Sequence, residues 1–297
     1  MNITIKSLRQ ARKKKVLIKV ISVFADDSCD EKCERIFVVA SIWGTQEEWD
    51  TIEVNWIKRT GGKIFHATDC ESGYGDYKGI PREKRHREYK DLTKILAASP
   101  MMGVGSAIDV KAYRTFMPDA LEDAPYFQCF VRVILETVKW ARLIIPQQKI
   151  KFTFDINHKV QYNAAFLYEN LLVKRPEYIK YTSLMDKDLG FATSETVGIQ
   201  VADLFTRETM KHYDNQFGPI QRPLRLSMDA LIKTKKFLCT YYHENYFKAF
   251  KEKLKELEQE TGLSQEDYQK WQLKHNCQDN AENRIRYAIY KELIEDV

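Results

Sequence analysis

Three aspartates stand where apolar segments of this chain stop or turn polar, and carboxylates placed in that way can hold a hard divalent cation. Asp26, with Asp27 beside it, follows the run Val16 to Ala25. Asp155 follows the alternating Lys149-Ile150-Lys151-Phe152-Thr153-Phe154. Asp203 lies within Gly198-Ile199-Gln200-Val201-Ala202-Asp203-Leu204-Phe205, a helical stretch that is apolar on nearly every side except at Gln200 and Asp203. Those two are three residues apart and share a face. A lone carboxylate in an apolar helix is costly unless something pairs with it, either an Arg or Lys or a metal shared with Asp26 and Asp155. Magnesium or manganese suits such ligands, because hard cations take oxygen donors and keep several waters. Two such ions about 4 Å apart can activate a water and stabilise a leaving oxygen in phosphodiester cleavage. The metal-ligand candidates are therefore Asp26, Asp27, Asp155 and Asp203, although Asp26-Asp27-Ser28 is also ordinary turn chemistry.

Further candidates lie between Phe65 and Asp76. Glu71 or Asp69, in an acidic and Gly-rich loop, supplies a further carboxylate, and His66 can orient a phosphate or move a proton. His66 serves equally well as a structural hydrogen-bonding group. Cys29-x3-Cys33 together with His66-x3-Cys70 offers the alternative of a structural zinc. Asp109-Val110-Lys111 has an acid-x-lysine form but lacks a preceding partner.

The elements that must position these residues alternate between strands and helices. Strands are expected over Val16 to Ala25, Ile36 to Ala40, Lys63 to His66, Met101 to Val110, Lys149 to Phe154 and Tyr178 to Met185. Thr45 with Glu48 forms a capping box ahead of Trp49, Ile52, Trp56 and Ile57, and Gly61-Gly62 ends that helix. Pro81 opens a basic helix carrying Arg82, Lys84, Arg85, Arg87, Lys90 and Lys94, a solvated face that would also suit a polyanion beside an acidic site. Pro125 begins a helix of core residues, another follows His158, and Thr196 to His212 forms the helix that bears Asp203. Beyond Pro219 the composition turns helical and charged, from Leu231 to Glu260 and again after Ser264, with Tyr241, Tyr242, Tyr246, Phe247 and Phe250 as an apolar stripe. The expected organisation is an α/β domain over 1–218 and a helical C-terminal extension over 219–297, which packs on the main domain or on a second copy as a homo-oligomer.

Composition bounds the rest. The 297 residues are 44% hydrophobic and 30% charged, with a net charge of +5. That is a globular composition, too mildly basic to argue nucleic acid alone. The basic lead-in with Lys6, Arg9, Arg12 and Lys13 to Lys15 is read as a solvated arm. No apolar run is long enough for a membrane span. Six scattered cysteines without a secretory signal point to reduced thiols and a cytoplasmic protein. Walker, dinucleotide-glycine, Gly-x-Ser-x-Gly and His-Glu-x-x-His signatures are missing, which removes the common kinase, dehydrogenase, esterase and zinc-protease readings.

Phe24-Ala25-Asp26-Asp27-Ser28 followed by Phe37-Val38-Val39-Ala40-Ser41-Ile42 resembles the opening hairpin of the bacterial and phage family called domain of unknown function 3800. Phe65-His66-Ala67, Phe154-Asp155 and Gly198 to Leu204 resemble its later blocks, and together the blocks cover roughly Val16 to His212. The resemblance implies a ribonuclease H-like mixed sheet flanked by helices, with metal-binding carboxylates. The sequence departs from the pattern at Asp27, where glutamate is usual, and at Cys29, where glycine is usual. The function expected is a metal-dependent nuclease or related phosphoryl-transfer enzyme with nucleic acid as partner. The alternative is a non-catalytic nucleic-acid or protein binding module of the same fold.

Overall fold

The computed structural model describes residues 20–117, 124–173 and 183–260. The basic arm, most of the strand expected over Tyr178 to Met185 and the segments after Glu260 lie outside the described residues.

Six strands form one mixed sheet: β1 (Val20–Cys29), β2 (Ile36–Thr45), β3 (Met102–Asp109), β4 (Lys149–Asp155), β5 (Gly190–Ala192) and β6 (Phe237–Tyr242). Their spatial order is β5-β4-β1-β2-β3-β6. β1 to β3 run antiparallel as a meander, while β4 and β5 are parallel to β1. This is the α/β class expected, a mixed sheet flanked by helices.

Both sheet faces are covered. Ile21, Val23 and Ala25 of β1, with Phe152 and Phe154 of β4, pack into one apolar layer with Phe130, Ile134 and Val138 of α5 (Ala124–Ile144). On the other face Val38, Ala40 and Ile42 of β2 meet Trp49 and Trp56 of α1 (Gln46–Thr60), and Val201, Leu204 and Phe205 of α7 (Val197–Phe217). A strand buried on both faces reads as a nearly continuous apolar run, as Ile36 to Trp43 does. The remaining helices are α2 (Ala67–Ser72), α3 (Arg82–Ala98), α4 (Val110–Phe116), α6 (Gln161–Val173), α8 (Leu226–Ile232) and α9 (Glu244–Glu260). Among the described residues no helix is long and apolar enough to cross a membrane.

Local chemistry sets several boundaries. The capping box at Thr45 is present: its hydroxyl accepts from the Glu48 amide, and the Thr45 amide donates to the Glu48 carboxylate at 2.6 Å. Asp109 caps α4 by accepting from the Ala112 amide at 2.9 Å, which gives the Asp109-Val110-Lys111 sequence a structural role. Gly198 lets α7 approach β1 closely, since a Cβ there would lie 2.5 Å from the Phe24 ring. Gly198→Ala is expected to overpack this contact and destabilise by about 1–3 kcal/mol. Thermal denaturation checks it, and an unchanged melting temperature would show that Phe24 yields freely.

Three expectations change. Lys63 to His66 is extended but pairs with no strand; instead the Ile64 amide donates to Asp76 and the Phe65 amide to Gln200. Inside the stretch read as helical from Leu231 lies β6, which joins the sheet in parallel beside β3. Phe237 and Tyr241, four residues apart, share a face in a strand as well as in a helix, and the turn at Lys235 (φ 58°) separates β6 from α8. The loop Lys187 to Glu195 contains β5, which extends the sheet beyond β4.

Candidate metal centre

Asp26, Asp27, Asp155 and Asp203 all line one polar cleft of about 290 Å³, together with His66, Asn157, His158, Ser194 and Gln200. The sheet explains the meeting. β1 and β4 are parallel neighbours with Ala25 opposite Phe154, so Asp26 lies beside Asp155, where β4 ends, while β1 runs on past Asp26 to Cys29 in place of stopping there. α7 crosses β1 on the face that carries Phe24, and a helical turn after Gly198 it delivers Asp203. Successive strand residues point to opposite faces, so Asp26 and Asp27 approach the cleft from the two sides of β1. Asp26 is on the side of α7, and its carboxylate accepts from the Asp27 amide at 2.8 Å. Asp27 faces the other layer and accepts from Asn157 at 3.4 Å.

The electrostatics follow from this crowding. Burial, then the charges of Asp203, Asp27 and Asp155, hold the Asp26 carboxyl well above its usual value. Burial raises Asp203 from 3.8 to about 6 despite His66, the Ala67 amide and Arg207, which favour its charge, and Asp155 adds to the rise. Asp27 reaches about 6, again chiefly through burial, with the Asn157 bond opposing. Burial likewise raises Asp155, partly offset by the Ile156 amide and His66. Four carboxylates thus share a cleft with too little positive charge to neutralise them.

Gln200 braces the wall. Its carbonyl accepts from the Trp56 indole at 3.0 Å and the Phe65 amide at 3.1 Å, and its amide donates to the Ser194 carbonyl at 2.8 Å. Next to it the Ala67 amide donates to Asp203 at 2.7 Å. The segment that carries His66 is therefore pinned to α7 at two points. Gln200→Leu would strand two donors and an acceptor, each worth about 1–3 kcal/mol when left unsatisfied. A loss of at least about 2 kcal/mol in urea denaturation is the expected result, and a near-neutral outcome would mean that water replaces the lost bonds.

Not every candidate reaches the cleft. Glu71 lies outside it, gripped by Arg207 at 2.8 and 3.0 Å and by Arg225 at 2.5 Å. Asp69 faces His66 at 3.4 Å. The zinc quartet does not assemble: Cys29 and Cys33 are disulfide-bonded to each other, and Cys70 is buried with its thiol directed at the Arg85 carbonyl. The expectation of wholly reduced thiols is corrected in the same way, although Cys70, Cys129 and Cys239 are free. Asn157 and His158 were not singled out from the sequence; their signal was their place directly after the strand-end Asp155.

The donor set fits a hard divalent cation in its chemistry, since carboxylate oxygens dominate and mutual repulsion awaits a counter-charge. Among the described residues, however, no three His, Cys, Asp or Glu side chains are gathered closely enough to hold an ion as they stand. The carboxylates ring the cleft instead of converging on one point.

No family model matches the chain, so the likeness to domain of unknown function 3800 rests on the quoted motifs alone. No curated protein matches it either. Among solved structures it is similar to the RNase HII of a PCNA:RNase HII complex from Archaeoglobus fulgidus, at 10% identity and a TM-score of 0.39, covering 72% of this chain and 87% of that one. It is also similar to Bst-RNase HIII in complex with Mn2+, at 11% identity and a TM-score of 0.37, covering 78% and 66%. At these values the likeness carries no argument about activity, and the description of the fold rests on the order and direction of the chain's own strands.

Proposed function

We propose that this protein is a metal-dependent nuclease or a related phosphoryl-transfer enzyme acting on a nucleic-acid phosphodiester. One observation carries the reading: Asp26, Asp155 and Asp203, drawn from two strands and a helix far apart in sequence, line a single cleft where burial, and at Asp26 the charges of the other two, hold their carboxyls above the usual value. Repulsion of this kind is costly to a fold and is expected where the charges serve a ligand.

Asp26, Asp155 and Asp203 would hold Mg2+ or Mn2+, with Asp27 as an accessory. When bound, the cation supplies charge stabilisation at the phosphate and lowers the pKa of an attacking water. The chain's own groups do the rest. Asn157 fixes Asp27, and the Ala67 amide fixes Asp203. His66, half-exposed at the rim with Nδ1 turned toward Asp69, offers Nε2 to a phosphate oxygen or a proton.

The test is calorimetric titration with Mn2+, paired with cleavage of labelled DNA, RNA and hybrid strands in Mg2+, in Mn2+ and in EDTA. Metal binding with metal-dependent cleavage is expected. Strand binding that ignores metal and never leads to cutting would overturn the enzyme reading in favour of a non-catalytic binding module.

A further inference from the structure

A second hollow, of about 390 Å³, opens between α2, α3 and α8. Its walls are mostly apolar, with Tyr89, Thr93, Leu226 and Ala230 among them and Arg225 beside Tyr89. Leu226 is 81% exposed at the rim. Along the α3 side His86, Lys90 and Lys94 follow one another at four-residue steps, and Arg82 stands one step earlier with its Nε 3.5 Å from His86. All four are exposed.

Each step of four residues rises about 6 Å along a helix, a distance that one extended nucleotide can also span. The acidic residues of α3 cancel this row only in part. Glu88 is buried against Tyr77, Lys63 and Arg59, and Asp91 is held by Arg59 with Lys94 at 3.5 Å. Glu83, in the first turn, is exposed.

The hollow adjoins the acidic cleft across the short helix α2. Cys70 on its wall is one turn beyond His66, and Glu71 is bonded to Arg207, one turn beyond Asp203. The acidic cleft and the hollow therefore meet across α2, and Lys90 and Lys94 stand on the α3 wall of that hollow.

We propose that this hollow and the row Arg82, His86, Lys90 and Lys94 seat a single polynucleotide strand flanking the scissile phosphodiester, with phosphates along the row and a base against Leu226. The inference rests on the nucleic-acid reading of the acidic cleft and names where the rest of the substrate goes. The cations Arg82, Lys90 and Lys94 fit the monoanions of a phosphate chain, His86 accepts from Arg82 between them, and apolar walls beside them fit the flat faces of bases.

Fluorescence anisotropy in EDTA, with labelled single-stranded DNA and RNA of about twelve nucleotides, separates binding from cleavage. The double variant Lys90→Glu/Lys94→Glu is expected to bind at least about 10-fold more weakly, with the slope of log K against log salt shallower by about 1.4, near 0.7 for each lost phosphate contact. Leu226→Asp is expected to weaken binding with little change in contacts to phosphate. Lys149→Glu/Lys151→Glu makes the same charge change on exposed residues at the far end of β4 from Asp155, and is expected to bind as wild type. Equal losses in both double variants, no loss in the first, no strand binding by wild type, or equally potent competition by an acidic peptide would each overturn the proposal. The two readings fail separately. Asp26-dependent cleavage that survives Lys90→Glu/Lys94→Glu at wild-type affinity removes the strand seat and keeps the nuclease. Loss of affinity in that variant, with no cleavage by wild type under any metal, removes the nuclease and keeps the seat.

Discussion

Asp26→Asn and Asp203→Asn are expected to reduce cleavage by about 10³-fold or more while raising the melting temperature of the metal-free protein. The activity loss follows from removing one charged oxygen donor at the point where phosphate charge must be stabilised, which is worth several kcal/mol in such sites. The stability gain follows from the same charge. Burial moves Asp203 from 3.8 to about 6, so the charge it carries at neutral pH is held in the folded state at a cost. A carboxyl raised in this way destabilises the fold above that value, by roughly 1–3 kcal/mol for a shift of this size. Asparagine removes the charge and retains an oxygen that can accept from the Ala67 amide. For a domain of this length each kcal/mol corresponds to about 2–4 °C. Differential scanning calorimetry in EDTA reads the gain, and repeating it with Mg2+ should stabilise wild type more than either variant. Retained cleavage, or a lower melting temperature in both variants, would contradict the argument.

Arg225→Met is expected to destabilise by about 3–5 kcal/mol, because it strands charges that the fold has already desolvated. Arg225 donates to Glu71 at 2.5 Å and lies 2.9 Å from Glu208, whose side chain is fully buried and also accepts from Tyr89 and Ser227. The pH dependence has a definite sign. Burial would raise Glu71, but Arg225 and Arg207 overcome it and hold the carboxyl below its usual value. Its stabilisation is therefore present above about pH 4.5 and is lost as pH falls through the lowered value. Glu208 is held above its usual value by burial, against the opposing Arg225, Ser227 and Tyr89. Without Arg225 it should rise further and accept a proton more readily as the solution is acidified. The deficit of the variant relative to wild type should accordingly be largest at neutral pH and shrink toward pH 5. Urea denaturation at both pH values measures this, and a deficit that grows on acidification would be the wrong sign.

The parts of the fold that were legible in the sequence are those set by local rules. The hairpin β1–β2, the capping box at Thr45 and the start of α3 after Pro81 each carry their signal within a few residues. Asp203 was legible by a cost argument, since an unpaired carboxylate in an apolar helix requires a partner. Who that partner is was not legible: the Ala67 amide is 136 residues away. Glu71 shows the same limit. An acidic, Gly-rich loop announces a polar role but does not say whether it faces a metal or an arginine, and its partners Arg207 and Arg225 lie 136 and 154 residues on. The cysteine spacing that suggested zinc was equally compatible with the disulfide between Cys29 and Cys33. In β6, Phe237 and Tyr241 pack one face of a strand but are spaced to fill one stripe of a helix as well, and only the pairing with β3 distinguishes the two.

The central place of β1 bears on how the molecule comes into being. Its antiparallel partner β2 follows at once, but its parallel partner β4 joins Ile21 to Ile150, and Asp27 meets Asn157 across 130 residues of chain. Pairings of that span form slowly, since the intervening loop must close before any contact rewards it. During synthesis the meander can therefore form early with Asp26 and Asp27 still in water, and the acidic cleft is completed only once α7 has emerged and docked. The repulsion among the carboxylates is completed only when α7 docks, and the same docking closes the apolar layer of Val201, Leu204 and Phe205 over the sheet.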